Sequence, residues 1–215
     1  MIKKLVLDHK GGYYNYKVHE LKLNKLCKNF PSLKIFLNDM FMNCPDDYFN
    51  NNGPRSSKLK FKLKNLDMHR VSGHEMNDLA RQALEFNRER FKEGHPKVQV
   101  FLLENDNKTI AMETPIWLNP EELKNFNFNL NSPLTGHIDV LRIEDNKIWI
   151  WDYKPSAFEE KYASTQVYFY ALMLSQRTKI KLENFRCGYF DTNYSYIFKP
   201  ELRFLDNEKL SLFLQ

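Results

Sequence analysis

Glycine is scarce, 7 in 215 residues, and no G-x-G-x-x-G or G-x-x-x-x-G-K run occurs. Their absence removes the loops that cradle phosphates in dinucleotide-binding and P-loop proteins. Cysteine is scarcer: Cys27, Cys44 and Cys187 are isolated, odd in number and without C-x-x-C spacing. That usage points to reduced thiols in an intracellular protein rather than to a disulfide frame or a zinc knuckle. No apolar run approaches the ~20 residues of a membrane span. Residues 1–10 offer only Leu5, Val6 and Leu7 before Asp8, which is no signal-peptide core. The net charge of +5 suits a polyanionic partner but equally an ordinary soluble protein, and decides nothing alone.

What is present is a large apolar and aromatic fraction, 42% and 14%, with 17 Phe and 11 Tyr, enough to build a folded core. The length fits one domain, or one domain with an appendage. The division expected is a lysine-rich N-terminal extension or lid over residues 1–66 and a core over 67–215.

The most informative stretch is Leu134 to Lys154. An apolar, β-branched arm, Leu134 to Ile143, is followed by turn-forming Glu144-Asp145-Asn146 and an alternating arm, Lys147 to Lys154; this predicts a β-hairpin. Alternation along the second arm puts Ile148, Ile150, Asp152 and Lys154 on one face and Trp149, Trp151 and Tyr153 on the other. Asp152 and Lys154 then stand about 6.5 Å apart, two strand rises. Folding the hairpin about residues 145 and 146 brings Asp139 beside Asp152. Two carboxylates held together repel unless a cation joins them, and Mg²⁺ suits one or two carboxylates with waters and a phosphate. Lys154 could then orient or deprotonate a water, or stabilise a phosphorane-like transition state. An ordinary amphipathic hairpin whose acids and lysine pair in solvent gives the same pattern.

Elsewhere, a helix is expected over Leu33 to Asn43, and Cys44 to Pro54 is rich in turn formers. Lys58, Lys60, Lys62 and Lys64 alternate with apolar residues, as on a half-exposed strand; they could line a phosphate track or only protect a strand edge. Helical spacing from Ser72 to Phe91 predicts a long helix with His74 and Glu75 in its first turn. Val98 to Leu103 and Thr109 to Trp117 suggest a hairpin, its second strand interrupted by Glu113. Pro120 opens a short helical turn. Ser156 to Glu159 has capping-box spacing and opens a helix carrying Gln166 and Tyr170 on one face. Asn184 to Thr192 and Tyr194 to Lys199 read as a hairpin, and Asn207 to Leu214 as a closing helix.

Five elements in this order, Gly73-His74-Glu75, Glu113-Thr-Pro, Gly136-His-Ile-Asp139, Asp152-Tyr-Lys154 and Gln166-x-x-x-Tyr170, resemble the PD-(D/E)XK nuclease superfamily, in particular its RecB-like branch, over about residues 72–200. The resemblance implies an α/β restriction-endonuclease-like core, a mixed central sheet flanked by helices. It further implies a nuclease using Mg²⁺ or Mn²⁺, with Asp139, Asp152, Lys154, Gln166 and Tyr170 catalytic. His74, Asp139, Asp152 and the Tyr153 carbonyl are the implied ligands, and Glu113 is a further candidate. Single-stranded DNA or DNA ends are the expected substrate, held by Arg81, Arg88, Arg90, the lysines at 58–64 and Ser156. The cysteine pattern of related iron-sulfur nucleases is missing, so no cluster is expected. No helicase motif occurs, which leaves a freestanding enzyme or a subunit with a helicase or other protein partner, away from membranes. Two other readings stand beside it: a catalytically inactive nucleic-acid-binding or assembly subunit, and a structure-specific endonuclease.

Overall fold

The structure, a computed structural model, describes residues 1–126, 128 and 130–205. Eight strands form one mixed sheet: β1 (Ile2–His9), β2 (Gly12–His19), β3 (His69–Ser72), β4 (Thr109–Leu118), β5 (Leu134–Glu144), β6 (Lys147–Tyr153), β7 (Phe185–Phe190) and β8 (Tyr194–Phe198). Their spatial order is β1-β2-β4-β5-β6-β7-β8-β3. Seven helices complete the fold: α1 (Glu20–Leu26), α2 (Pro31–Asn43), α3 (Asp46–Asn50), α4 (Glu75–Phe86), α5 (Gly94–Asn105), α6 (Pro120–Lys124) and α7 (Ala163–Thr178). This is the α/β restriction-endonuclease-like architecture. The helix expected over 207–214 lies outside the described residues.

The hairpin forms as its pattern predicts. Asp145 and Asn146 both take left-handed backbone conformations, φ 48° and 55°, which closes a two-residue turn with the twist antiparallel strands need. β6 and β7 are parallel, a pairing that requires a long crossover, and α7 supplies it. Ile148 and Ile150 join α2, α7 and their neighbours in the larger core, while Trp151 and Tyr153 join α4 and α5 on the opposite face.

Residues 1–66 contribute to the same sheet and core as the rest of the described chain. β1 and β2 extend the same sheet, and Leu33, Phe36 and Leu37 of α2 share the core of α7. The expected strand over 58–64 does not form: Lys58 ends a 3₁₀ turn, Lys64 lies in a turn, and the run lies outside the sheet, with Leu59, Phe61 and Leu63 buried and the four lysines exposed. It lies instead as a strap on α7, where Phe61 meets Phe169 edge-on and its carbonyl accepts the Thr165 hydroxyl.

Three local expectations are corrected. Val98 to Leu103 is the buried middle of α5, not a strand; a short apolar run fits either element, and packing against α4 and β4 decides. The long helix starting near Ser72 is shorter, since β3 occupies 69–72 and α4 ends at Phe86. Ser156 opens only a 3₁₀ turn over Ala157–Glu159, and α7 starts at Ala163, because Asp191 Oδ2 takes the Ala157 N–H and turns the chain away.

Trp151 is fully buried and fits because position 188 on the neighbouring strand is glycine. A Cβ there would lie 2.3 Å from the indole. Gly188→Ala is therefore expected to destabilise the fold by about 2–3 kcal/mol through overpacking, measured as a lower urea midpoint with an unchanged slope.

Candidate active site

The register brings three acids level on neighbouring strands. Met112 pairs Val140 and Thr114 pairs Ile138, so Glu113 stands across from Asp139; Val140 pairs Trp151, so the next rung sets Asp139 across from Asp152. Glu113 interrupts its ladder with a left-handed backbone, φ 51°, and its Oε1 accepts a hydrogen bond from Gln99 on α5. Asp139 Oδ2 accepts the Tyr153 N–H at 3.1 Å.

Asp152 is the most enclosed of the three, 1% exposed. Lys154 Nζ lies 2.6 Å from its Oδ2, and Gln166 Nε2 donates to its Oδ1 at 3.1 Å. Gln166 also accepts from Lys154 at 3.1 Å and donates to the Tyr170 hydroxyl at 2.8 Å. Lysine, glutamine and tyrosine thus form one interlocked frame around a single carboxylate. Tyr170 hydrogen-bonds Ser56 as well. Gly136 is required by that approach, because a Cβ there would lie 2.4 Å from the Tyr170 ring and 2.6 Å from Ser56 Oγ.

The electrostatics match a cation site. Burial, then repulsion from Asp152 and Glu113, pushes the Asp139 carboxyl well above the usual carboxylate range. Burial, with Asp152 adding, pushes Glu113 up to about 7. Burial works against the Lys154 charge, but Asp152 and Asp139 outweigh it and hold the ammonium above its ordinary value. Three acids against one ammonium leave negative charge that a divalent ion would neutralise.

His74 is engaged at the start of α4. His74 caps α4, its Nδ1 accepting from Met76 N, and its ring packs on Trp151. The charges around it are Glu144, Arg142, Glu75 and Lys108, at the turn end of the hairpin. Arg142, fully buried, holds α4 there through Glu75 at 3.0 Å and also pairs Asp106 at 2.9 Å. His95 is an imidazole that the structure sets beside Asp139. It lies in the first turn of α5, its Nε2 3.8 Å from Asp139 Oδ2 and its ring edge-on to Tyr153. Burial lowers its pKa, which favours the neutral, ligating form. Sequence reasoning missed His95 and Gln99 together, because both lie in the segment read as a strand; Gly94 and Pro96 around His95 mark a helix start.

The remaining expected residues are scattered. Lys58, Lys60, Lys62 and Lys64 are exposed along the strap. Arg81 is held by Asp78 and the Thr192 carbonyl, Arg88 is exposed near Glu89, and both NH groups of Arg90 are taken by Glu104. Ser156 lines a cavity of about 330 Å³ with Asp191 and Tyr194.

The acid-acid-lysine cluster stands at the hairpin's open end, in a mixed sheet. A family model for the PD-(D/E)XK nuclease superfamily matches residues 59–209, and the chain belongs to that superfamily. The match begins in the lysine strap. A solved structure titled "Crystal structure of SSO0001" is 13% identical with a TM-score of 0.41, over 89% of this chain and 80% of that chain, a likeness too weak to argue from. No curated protein matches the chain. No described helix is long and apolar enough to cross a membrane.

Because Glu113 and Asp139 bind protons more tightly folded than unfolded, the stability these two groups contribute is fully present below about pH 4.5 and is lost as pH rises through 7. Glu113 alone accounts for about 3 kcal/mol at most. In chelator, the thermal midpoint of Glu113→Gln is therefore expected to gain on that of the wild type as pH rises from 5.5 to 8. Mg²⁺ should raise the midpoint more at pH 8 than at pH 5.5.

Proposed function

We propose that this nuclease hydrolyses DNA, working from ends or along single strands, with the RecB-like type of site. The observation that carries the reading is the frame of Lys154, Gln166 and Tyr170 around Asp152, with Asp139 and Glu113 on the adjoining strands. Asp139, Asp152, His95, the Tyr153 carbonyl and Glu113 would hold Mg²⁺ or Mn²⁺, the set expected from sequence with His95 replacing His74. When bound, a divalent ion neutralises charge on the scissile phosphate and lowers the pKa of a water.

The chain's own residues supply the rest. Lys154 is an ammonium, so it orients the attacking water and stabilises developing negative charge rather than removing a proton. Gln166 fixes its direction. Asp139 is fixed in turn by the Tyr153 N–H.

Two features support a single strand. Lys58, Lys60, Lys62 and Lys64 are exposed along a strap that follows Ser56, which crowds Gly136 together with Tyr170; such a row can follow a phosphate backbone. Beside Glu113 and His95, a cavity of about 250 Å³ is lined by Tyr13, Tyr14, Lys17 and Phe91. Aromatic faces with a cation are the chemistry that stacks bases without reading sequence. Arg81, Arg88 and Ser156 are secondary contacts on this reading, and Arg90 stays with Glu104.

End-labelled single-stranded DNA and closed circular DNA, incubated with Mg²⁺, Mn²⁺ or chelator, test the proposal. Metal-dependent loss of the linear substrate alone is expected. Asp152→Ala and Lys154→Ala should each lower the rate at least 10³-fold. His95→Ala should lower it at least tenfold through weaker ion binding, whereas His74→Ala should leave it nearly unchanged. Cutting of the circle would make the enzyme an endonuclease, and no cutting by folded wild type would leave a binding subunit.

A further inference from the structure

Away from the acids, where β1 ends and α3 begins, three potential metal ligands of different chemistry converge. Among the described residues, His9, Cys44 and Asp46 are a set whose ligating atoms all lie within 4.8 Å of one another. His9 Nε2 is 2.9 Å from Asp46 Oδ1 and 4.0 Å from Cys44 Sγ. The Cys44 Sγ and an Asp46 carboxylate oxygen lie within the same 4.8 Å.

The proton order here follows from one donor-only group. Arg55 NH2 lies 3.1 Å from His137 Nδ1, and a guanidinium cannot accept, so that nitrogen does. Neutral His137 then carries its proton on Nε2 and donates to His9 Nδ1 at 2.8 Å. His9 in turn carries its proton on Nε2 and donates to Asp46. The Asp46 carboxylate therefore receives the imidazole proton, with the Cys44 thiol alongside, in the space between three metal-binding atoms. A divalent cation can replace protons shared in this way.

We propose that His9, Cys44 and Asp46 form a second metal site, separate from the nuclease centre, that takes a zinc-type ion with water completing a tetrahedral set. Imidazole, thiolate and carboxylate together suit Zn²⁺ rather than Mg²⁺. Binding releases one proton, from the Cys44 thiol. The two imidazoles exchange tautomers without net loss: His9 then donates from Nδ1 to His137, and the Arg55–His137 hydrogen bond is given up. His137 becomes the outer partner that orients a ligating imidazole, itself supported by Tyr14, stacked at 3.7 Å. His9 is buried and stacked on Phe49 at 4.2 Å, so the site is built into the core, while Asp46, 60% exposed in its side chain, leaves an entry path. The ion would clip β1 to the segment between α2 and α3, closing a loop of some 35 residues.

The test uses the full-length protein, stripped with chelator and titrated with Co²⁺. An ion at the nuclease centre has only oxygen and nitrogen ligands there, so a thiolate-to-cobalt charge-transfer band reports this site alone. The expected result is such a band in wild type and in Asp152→Ala, displaced by Zn²⁺ and accompanied by release of one proton per ion. Cys44→Ser should abolish the band, and Asp46→Asn should weaken Co²⁺ affinity at least tenfold. Should Cys44→Ser not fold, protection of Cys44 from alkylation by Zn²⁺ in wild type, lost in Asp46→Asn, replaces it. Absence of the band in folded wild type, or its persistence in Cys44→Ser through Cys27 or Cys187, overturns the proposal. Neither outcome bears on DNA hydrolysis, which the strand-digestion experiment tests separately.

Discussion

The structure depends on a carboxylate that has no business in a sheet interior unless it is answered. Asp152 sits almost without solvent at the end of β6, and burying an ionised carboxyl costs several kcal/mol unless charge and hydrogen bonds compensate. Lys154 supplies the charge and Gln166 the hydrogen bond. To place Gln166 there, α7 must cross the sheet directly behind the hairpin. That crossing is also what the parallel β6–β7 pairing requires, so one helix serves the topology and the site. Asp139 and Glu113 complete the arrangement, and burial with mutual repulsion among the acids pushes their carboxyls upward.

This imbalance links stability to chemistry. Acids that repel one another store unfavourable energy in the ion-free protein, and the same energy favours capture of a divalent ion. The opposite end of the hairpin is balanced: Arg142 is buried but meets Glu75, Asp106 and Glu144. One end is a structural network fixing helices α4 and α5, the other a site left short of positive charge. The distinction explains why a histidine at the first end caps a helix while one at the second faces an acid.

The N-terminal third is part of the same object. β1 and β2 lengthen the sheet, Ser56 reaches Tyr170, and the lysine strap rides on α7. Its contribution was hidden in the sequence because lysine-rich, asparagine-rich chain resembles an appendage. Only the burial of alternate residues, Leu59, Phe61 and Leu63, reveals that it is fastened to the core.

What the sequence by itself determined is local and periodic. Two-residue alternation and an Asp-Asn turn specify the hairpin, and counting along it sets Asp139 beside Asp152 and Asp152 near Lys154. A four-residue spacing pairs Gln166 with Tyr170 on α7. What only the tertiary structure decided depends on contacts between distant segments. Whether Val98 to Leu103 is helix or strand was settled by packing on α4 and β4, since an apolar run satisfies either period. The placing of His95 beside Asp139 followed from that helix, because α5 starts beside Tyr153 whereas Arg142 holds α4 at the other end of the hairpin. Glu113 aligns with Asp139 only through the β4–β5 register, and His9, Cys44 and Asp46 meet only once β1 and α3 are folded against the sheet; such neighbourhoods leave no period in the chain.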